Sequence, residues 1–281
     1  MDKQIQRFIS NHFLLVHSVT DIPTDVTTHV HDCYELFYFI AGDLTYYIEG
    51  QAYELRPHDM IITNSRELHR IVFNSECRYE RKFIHFKPEY ISSFQTGEYN
   101  LLSHIENRKL GYFNRITAED VHQYKIDELW RQLETAAQDS SPENNTLMKA
   151  IFVQMLVTMN KVFAKYDRSL GERQKSHKYD HKIVEILDYI NKNLDEKITL
   201  NVLQQRFYVN KYYLCHIFKL NTGFTVNEYI TYKKIMKASE LLMTGLTALD
   251  AAHAVGYSDY STFYKAFKGI TGYSPKQYFR K

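Results

Sequence analysis

One stretch of the last third of the chain occurs twice, 49 residues apart. Ile217-Phe218-Lys219-Leu220-Asn221-Thr222-Gly223-Phe224-Thr225 returns as Ala266-Phe267-Lys268-Gly269-Ile270-Thr271-Gly272-Tyr273-Ser274, and Tyr229 returns as Tyr278. A short polar residue, Asn210 and then Asp259, opens each copy. Duplication at a fixed period means two copies of one supersecondary unit. Each copy has the turn-and-helix grammar of a helix-turn-helix, whose second helix fits a DNA major groove. Two such units on one rigid body could read consecutive turns of one duplex face.

The charge distribution agrees. Residues 1–170 carry 18 Lys and Arg against 23 Asp and Glu, a net −5, whereas residues 171–281 carry 17 against 10, a net +7. A basic C-terminal part on an acidic N-terminal part fits a polyanion-binding module joined to one that binds something else. At 281 residues and 44% apolar, the chain is long enough for two cores. Cys33, Cys77 and Cys215 are odd in number, widely spaced and without a C-x-x-C pattern. They form no disulfide framework and suit a reducing cytoplasm. Neither a signal-like N-terminus nor an 18-residue apolar stretch is evident in the reading, so no membrane is expected.

Residues 12–90 read as β structure. Cys33 to Ile40, Leu44 to Ile48, Met60 to Asn64 and Arg81 to Lys87 are short runs rich in Tyr, Phe, Ile and Thr, separated by turn residues such as Gly42 and Gly50. Short strands without intervening helices predict an antiparallel barrel or jelly roll over 1–117. Over 118–166 the period changes to helical. Ile126, Leu129, Trp130, Leu133 and Ala137 form one stripe, and Leu147, Ile151, Met155, Met159 and Val162 another. This helical hairpin either packs on the barrel of its own chain or forms a homodimer interface. Residues 167–178 are polar and read as a linker.

Residues 179–281 read as all-helical. Ile183, Ile186, Leu187, Ile190 and Leu194 bury a first helix, and Thr199 caps a short second one. Asn210 caps a helix with Leu214, Ile217 and Phe218 inward and Lys211, Tyr212, Cys215, His216 and Lys219 outward. A long helix from about Val226 to Met243 follows. Asp259 then caps a helix with Phe263, Ala266 and Phe267 inward and Tyr260, Ser261, Tyr264, Lys265 and Lys268 outward. The run Ala251-Ala252-x-x-Val255-Gly256-Tyr257-x-Asp259-x-Ser261-x-Phe263-x-Lys265-x-Phe267-Lys268-x-x-x-Gly272-x-Ser274-Pro275-x-x-Tyr278 resembles the signature of AraC/XylS-type transcription regulators. The resemblance implies a seven-helix domain whose long central helix holds two helix-turn-helix units over adjacent major grooves. It makes Tyr212, Cys215 and His216 base readers of the first unit, Tyr260, Ser261, Tyr264 and Lys265 those of the second, and Lys219 and Lys268 phosphate neighbours. Members commonly carry Ala and Gly where this chain has Gln204 and Tyr208, so the first unit is expected to sit differently. An Arg is frequent at the positions of His216 and Lys265; without it, bidentate reading of guanine is lost.

In the N-terminal part, His29-x-His31-x-x-x-Glu35-x-x-x-x-x-x-Gly42 followed by His69 resembles the metal-binding pattern of cupins. On one strand, positions 29, 31 and 35 would share a face. Two alternatives follow. His29, His31, Glu35 and His69 could hold a transition metal, as in a cupin metalloenzyme. In the preferred alternative the remnant lies in a metal-free sensor without a cofactor, as the resemblance implies for domains fused to AraC-type modules. Phe37, Phe83 and His85 would then join His29, His31, Glu35 and His69 around a small effector, a sugar being the candidate. The expectation is therefore a cytoplasmic, non-enzymatic regulator that responds to an effector, an activator working with RNA polymerase on double-stranded DNA. A regulator that has lost effector sensing fits the same residues.

Overall fold

A computed structural model describes residues 2–10, 12–24, 26–29, 33–49, 51–168 and 181–278, with only the main chain described at 2, 26–29, 167–168, 181 and 184. The chain divides into two compact units, Met1–His177 and Lys178–Lys281.

In the first unit the strands are β1 (Asp2–Ser10), β2 (Phe13–Thr20), β3 (Val26–His29), β4 (Tyr34–Ala41), β5 (Leu44–Ile48), β6 (Gln51–Glu54), β7 (Met60–Thr63), β8 (His69–Phe73), β9 (Tyr79–Phe86) and β10 (Arg115–Ile116). They form a six-stranded sheet, β1-β2-β9-β4-β7-β10, and a four-stranded sheet, β3-β8-β5-β6. The expected barrel is thus two open sheets. Helices cover one face of the larger sheet, so its apolar surface is buried without closure. Strand β1 precedes the β region read from the sequence. It adds to the sheet edge antiparallel to β2, from Asp2↔Thr20 to Ser10↔Phe13, with a register shift between Gln4 and Gln6.

Alternation along β4 sorts two cores. Leu36 and Tyr38 face a cluster shared with the helices, while Phe37 and Phe39 join Tyr46, Ile48, Ile61 and Ile71 between the sheets. The helices are α1 (Ser103–Glu106), α2 (Ala118–Gln123), α3 (Ile126–Ala136) and α4 (Pro142–Arg168). Thr117 caps α2 by accepting from the Asp120 amide, and left-handed Lys125, at φ 56°, separates α2 from α3. Trp130 is fully buried and stacks on Tyr38, ring centroids 5.7 Å apart.

Helix α4 packs its apolar stripe within its own unit. Met148, Ile151, Phe152, Met155, Met159 and Val162 are buried with Phe13, Phe86 and Trp130 of the same unit, whereas Leu147 is exposed. At about 1.5–3 kcal/mol for each fully buried side chain of this size, the stripe stabilises its own domain. The segment Pro142–Tyr166 has an 18-residue window of mean hydropathy 1.3, enough by length and composition to cross a membrane. This corrects the expectation that no such stretch exists; the burial just described accounts for its apolar face. Most of the linker read over 167–178 lies outside the described residues, and its first two positions complete α4.

The second unit contains α5 (His181–Lys192), α6 (Leu200–Phe207), α7 (Lys211–Thr222), α8 (Val226–Met243), α9 (Ala248–Ala254), α10 (Tyr260–Thr271) and α11 (Pro275–Tyr278). The duplication extends to individual hydrogen bonds. Thr199 and Thr247 accept from the third amide of α6 and α9, Val202 and Asp250. Gly223 (φ 79°) and Gly272 (φ 77°) end α7 and α10 in the left-handed conformation that glycine adopts without penalty. Thr222 and Thr271 donate to Phe218 O and Phe267 O and accept from the Phe224 and Tyr273 amides. Thr225 and Glu228 cap α8 reciprocally, as Ser274 and Gln277 do at α11.

Candidate effector site and nucleic-acid interface

Because β3 ends at His29 and β4 begins at Tyr34, His29 and Glu35 lie on different strands and in different sheets. The parity argument that put positions 29, 31 and 35 on one strand face therefore fails. Convergence arises instead from packing of the two sheets. His29 pairs in register with His69 in the smaller sheet, while Glu35 is opposite His85 and Phe37 opposite Phe83 in the larger one. Across the gap, His69 Nε2 lies 3.4 Å from Glu35 Oε2; within the larger sheet, His85 Nε2 lies 3.2 Å from Oε1. His31 and the His29 side chain lie outside the described residues.

Tyr46, which the sequence reading missed, completes this cluster. Its hydroxyl donates to Glu35 Oε2 at 2.9 Å, and its ring stacks on His69. Burial first, and then the Glu35 carboxylate, push the Tyr46 phenol well above its usual range, so it remains a donor. Nothing in the run Leu44–Ile48 says which strand it will face; only the sheet packing does. His69 Nδ1 contacts Glu67 O at 2.9 Å, and a carbonyl only accepts, so Nδ1 carries a proton. The Nε2–carboxylate contact is then attractive when a second proton resides on Nε2 or on Glu35.

The support behind His69 is rigid. Glu67 is fully buried and takes Arg108 through both carboxylate oxygens, at 2.7 and 2.6 Å. The Gly111 and Asn64 amides also donate to it. Burial opposes the charge on Glu67, but Arg108 and these donors outweigh it and hold the carboxyl below its ordinary range. Phe37 is buried in the inter-sheet core, so it contributes packing there. Phe83 and His85, with rings 4.8 Å apart, are only half-buried and give the Glu35 cluster an edge towards the surface. Among the described residues no set of three His, Cys, Asp or Glu side chains has metal-ligand geometry.

On the other face of β4 and β9, an open cleft of about 400 Å3 lies against α3, lined by His17, Tyr38, Lys82, Arg131 and Glu134 among others. His17 bridges Glu80 at 2.9 Å and Glu134 at 3.2 Å, and Lys82 pairs with Glu134 at 2.7 Å. The Glu134 hydrogen bond, opposed by burial and helped by Glu80, raises the His17 pKa. These contacts fasten α3 to the sheet.

In the second unit all ten residues proposed for DNA are exposed: Lys211, Tyr212, Cys215, His216 and Lys219 on α7, and Tyr260, Ser261, Tyr264, Lys265 and Lys268 on α10. The inward residues Leu214, Phe218, Phe263 and Phe267 are fully buried, while Ile217 and Ala266 are partly so. The two copies differ at the turn. Tyr208 takes the left-handed position of the first unit (φ 51°) and Gly256 that of the second (φ 72°). One residue separates Tyr208 from its helix cap and two separate Gly256 from its own, so the spacing of the copies shifts from 48 to 49 residues across the turn. Gln204 is exposed where the equivalent Ala252 is fully buried.

The profile of the AraC-like ligand binding domain matches residues 16–156, and a helix-turn-helix domain profile matches residues 203–281. Over 250 residues the chain is 25% identical to the uncharacterized HTH-type transcriptional regulator YfiF of Bacillus subtilis (strain 168), spanning 88% of this chain and 76% of that one. YijO of Escherichia coli (strain K12), another HTH-type transcriptional regulator, is 32% identical over 97 residues, 34% of each chain. Among solved structures, the C-terminal domain of the response regulator yesN from Fusobacterium nucleatum is 32% identical over 34% of this chain and 94% of its own, with a TM-score of 0.33. Two open sheets with their helices, a duplicated helix-turn-helix and the two profile matches lead to one assignment: the chain belongs to the AraC family of transcription regulators, with an N-terminal ligand-binding domain and a C-terminal DNA-binding domain.

Proposed function

We propose that this regulator activates transcription by setting α7 and α10 in successive major grooves and that a small polyhydroxylated molecule, such as a sugar, controls it from the Glu35 cluster. The observation that carries the DNA reading is the repeat of capped helices and their glycine and threonine ends, which presents two corresponding exposed helix faces. Tyr212, Cys215 and His216 read bases from the first face, and Tyr260, Ser261, Tyr264 and Lys265 from the second. Lys211, Lys219 and Lys268 lie towards phosphates. The effector site comprises Glu35, His69, His85 and Phe83, with Phe37 packed behind them in the inter-sheet core and His29 and His31 nearby in sequence. A buried carboxylate and imidazoles beside half-exposed rings supply donors, acceptors and an apolar face for a hydroxylated ring. Strands β4 and β9 carry this cluster on one side and the packing of α3 and α4 on the other, so a ligand that shifts them is felt by the hairpin.

Activation, contact with RNA polymerase and a cytoplasmic setting rest on the family resemblance; the odd number and wide spacing of the three cysteines fit a reducing compartment. A homodimer would use the solvent side of the hairpin, where Leu147 is exposed, because the inward stripe of α4 is already covered. The deciding experiment is retention of fragmented genomic DNA by the purified protein at moderate salt, followed by sequencing, with and without candidate sugars. A few promoter-proximal sites with helically spaced half-sites support the reading. Phosphate contacts predict a fall in affinity of about tenfold or more from low to physiological salt. Uniform, salt-insensitive retention would overturn it.

A further inference from the structure

Between the two helix-turn-helix units lies a contact that the base-reading faces do not use. Lys234, on the central helix α8, is only 7% exposed. Its Nζ donates to Glu196 O at 3.0 Å, in the segment following α5, and to Val255 O at 2.8 Å, at the C-terminal end of α9. The first acceptor belongs to the part of the domain that supports α6 and α7. The second belongs to the turn that leads into α10. The ammonium also sits 5.7 Å from the centroid of the Tyr257 ring in that turn.

Gly256 makes this approach possible. A Cβ at that position would lie 2.3 Å from Asp195 O and 2.8 Å from Lys234 Nζ, and the backbone is left-handed as well. The turn of the second unit is therefore seated on the main chain that follows α5, and one cation closes the seat. A buried ammonium held by two carbonyl oxygens is an expensive way to fill space. Burial lowers the Lys234 pKa against the pull of Asp195. A leucine or methionine would serve packing alone at less cost. What the ammonium adds is direction, because it joins a main-chain carbonyl in the segment between α5 and α6 to the carbonyl at the C-terminal end of α9.

We infer that Lys234, with Gly256, is the positioning residue that fixes the separation and angle of the two recognition helices, and so dictates the spacing of the two DNA segments that this regulator accepts. The inference rests on the proposal that α7 and α10 both read DNA. Neither residue touches DNA in this scheme; each acts through α7 and α10. One base pair inserted between the two contacted segments moves the second by about 3.4 Å and about a tenth of a turn, which a rigid pair of readers cannot follow.

The test uses full-length protein and duplexes selected from a randomised library by the wild type, remade with one base pair inserted or removed between the two contacted segments. Wild type should lose about tenfold or more in affinity on either change. Lys234→Met should bind the selected spacing more weakly and show a spacing penalty of less than about threefold, whereas Lys234→Arg should restore most of the penalty. A full spacing penalty in Lys234→Met overturns the inference. A second measurement does not depend on DNA. Spin labels at Lys219→Cys and Lys268→Cys, with Cys33, Cys77 and Cys215 replaced by Ser, report the distance between α7 and α10. Lys234→Met should broaden that distance distribution, and a distribution as narrow as wild type overturns the positioning role even if the variant is less stable. If no duplex is selected while the labels still report a broadened distance, the DNA reading has failed and the clamp stands as a purely architectural one.

Discussion

The two helix-turn-helix units share their caps, their closing glycines and their threonine brackets, yet their turns are held in opposite ways. Tyr208 of the first turn projects into solvent with 91% of its surface exposed, whereas Gly256 of the second is pressed against Asp195 O. Gln204 is exposed on α6, and its counterpart Ala252 is fully buried on α9. Copies of one sequence unit can thus keep their helix ends and still differ in tertiary attachment. Local capping specifies the helices; the small residues at 252 and 256 specify where the second pair of helices may sit.

The most severe way to break this comparison is Gly256→Ala. The left-handed backbone and the overlap with Asp195 O together should cost about 2–5 kcal/mol, measured by chemical denaturation. A cost below about 1 kcal/mol would mean that the seat is adjustable. Ala252→Gln should destabilise by about 1–3 kcal/mol through overpacking, while Gln204→Ala should stay within about 0.5 kcal/mol; equal effects would erase the asymmetry.

Acid provides a finer probe, because the first cap, Asn210, does not titrate and the second, Asp259, does. Asp259 accepts from Thr262 Oγ1 at 2.6 Å and from the Thr262 and Ser261 amides, and these bonds lower its pKa. A carboxylate depressed on folding contributes stability above its unfolded pKa and loses it as pH falls through the folded value. Protection of the Thr262 amide from hydrogen exchange should therefore decline on acidification relative to that of the Tyr212 amide, and Asp259→Asn should abolish the difference. The smallest expected effect is Tyr208→Gly. It relieves a left-handed residue at the expense of unfolded-chain entropy and should raise stability by about 0.5 kcal/mol or leave it unchanged. A clear loss would show that the exposed ring has a partner within the fold.

Features governed by short-range chemistry were legible in the sequence. Both recognition helices, their capping residues and α8 follow from Thr, Asn, Asp and Gly at fixed offsets, which the same few hydrogen bonds require wherever they occur. Features set by packing at long range were not. Strand β1 carries Ile5 and Ile9 exposed on a sheet edge and has no inward alternation strong enough to announce it. The histidine–glutamate spacing suggested one strand face, but the chain leaves the smaller sheet after His29 and enters the larger one at Tyr34, so only assembly of both sheets shows that Glu35 meets His69. Tyr46 escaped for the same reason. The stripe on α4 was legible as a buried face, but its partner was not, since apolar periodicity gives no address.

Helix α8 runs from Val226 to Met243 without a break and ties one helix-turn-helix unit to the other. Along an α-helix each residue advances the chain by about 1.5 Å and rotates it by about 100°. A single-residue insertion in this shaft would turn the second unit almost a third of the way around the first. The length of α8 therefore acts as a gauge block between the two helix-turn-helix units.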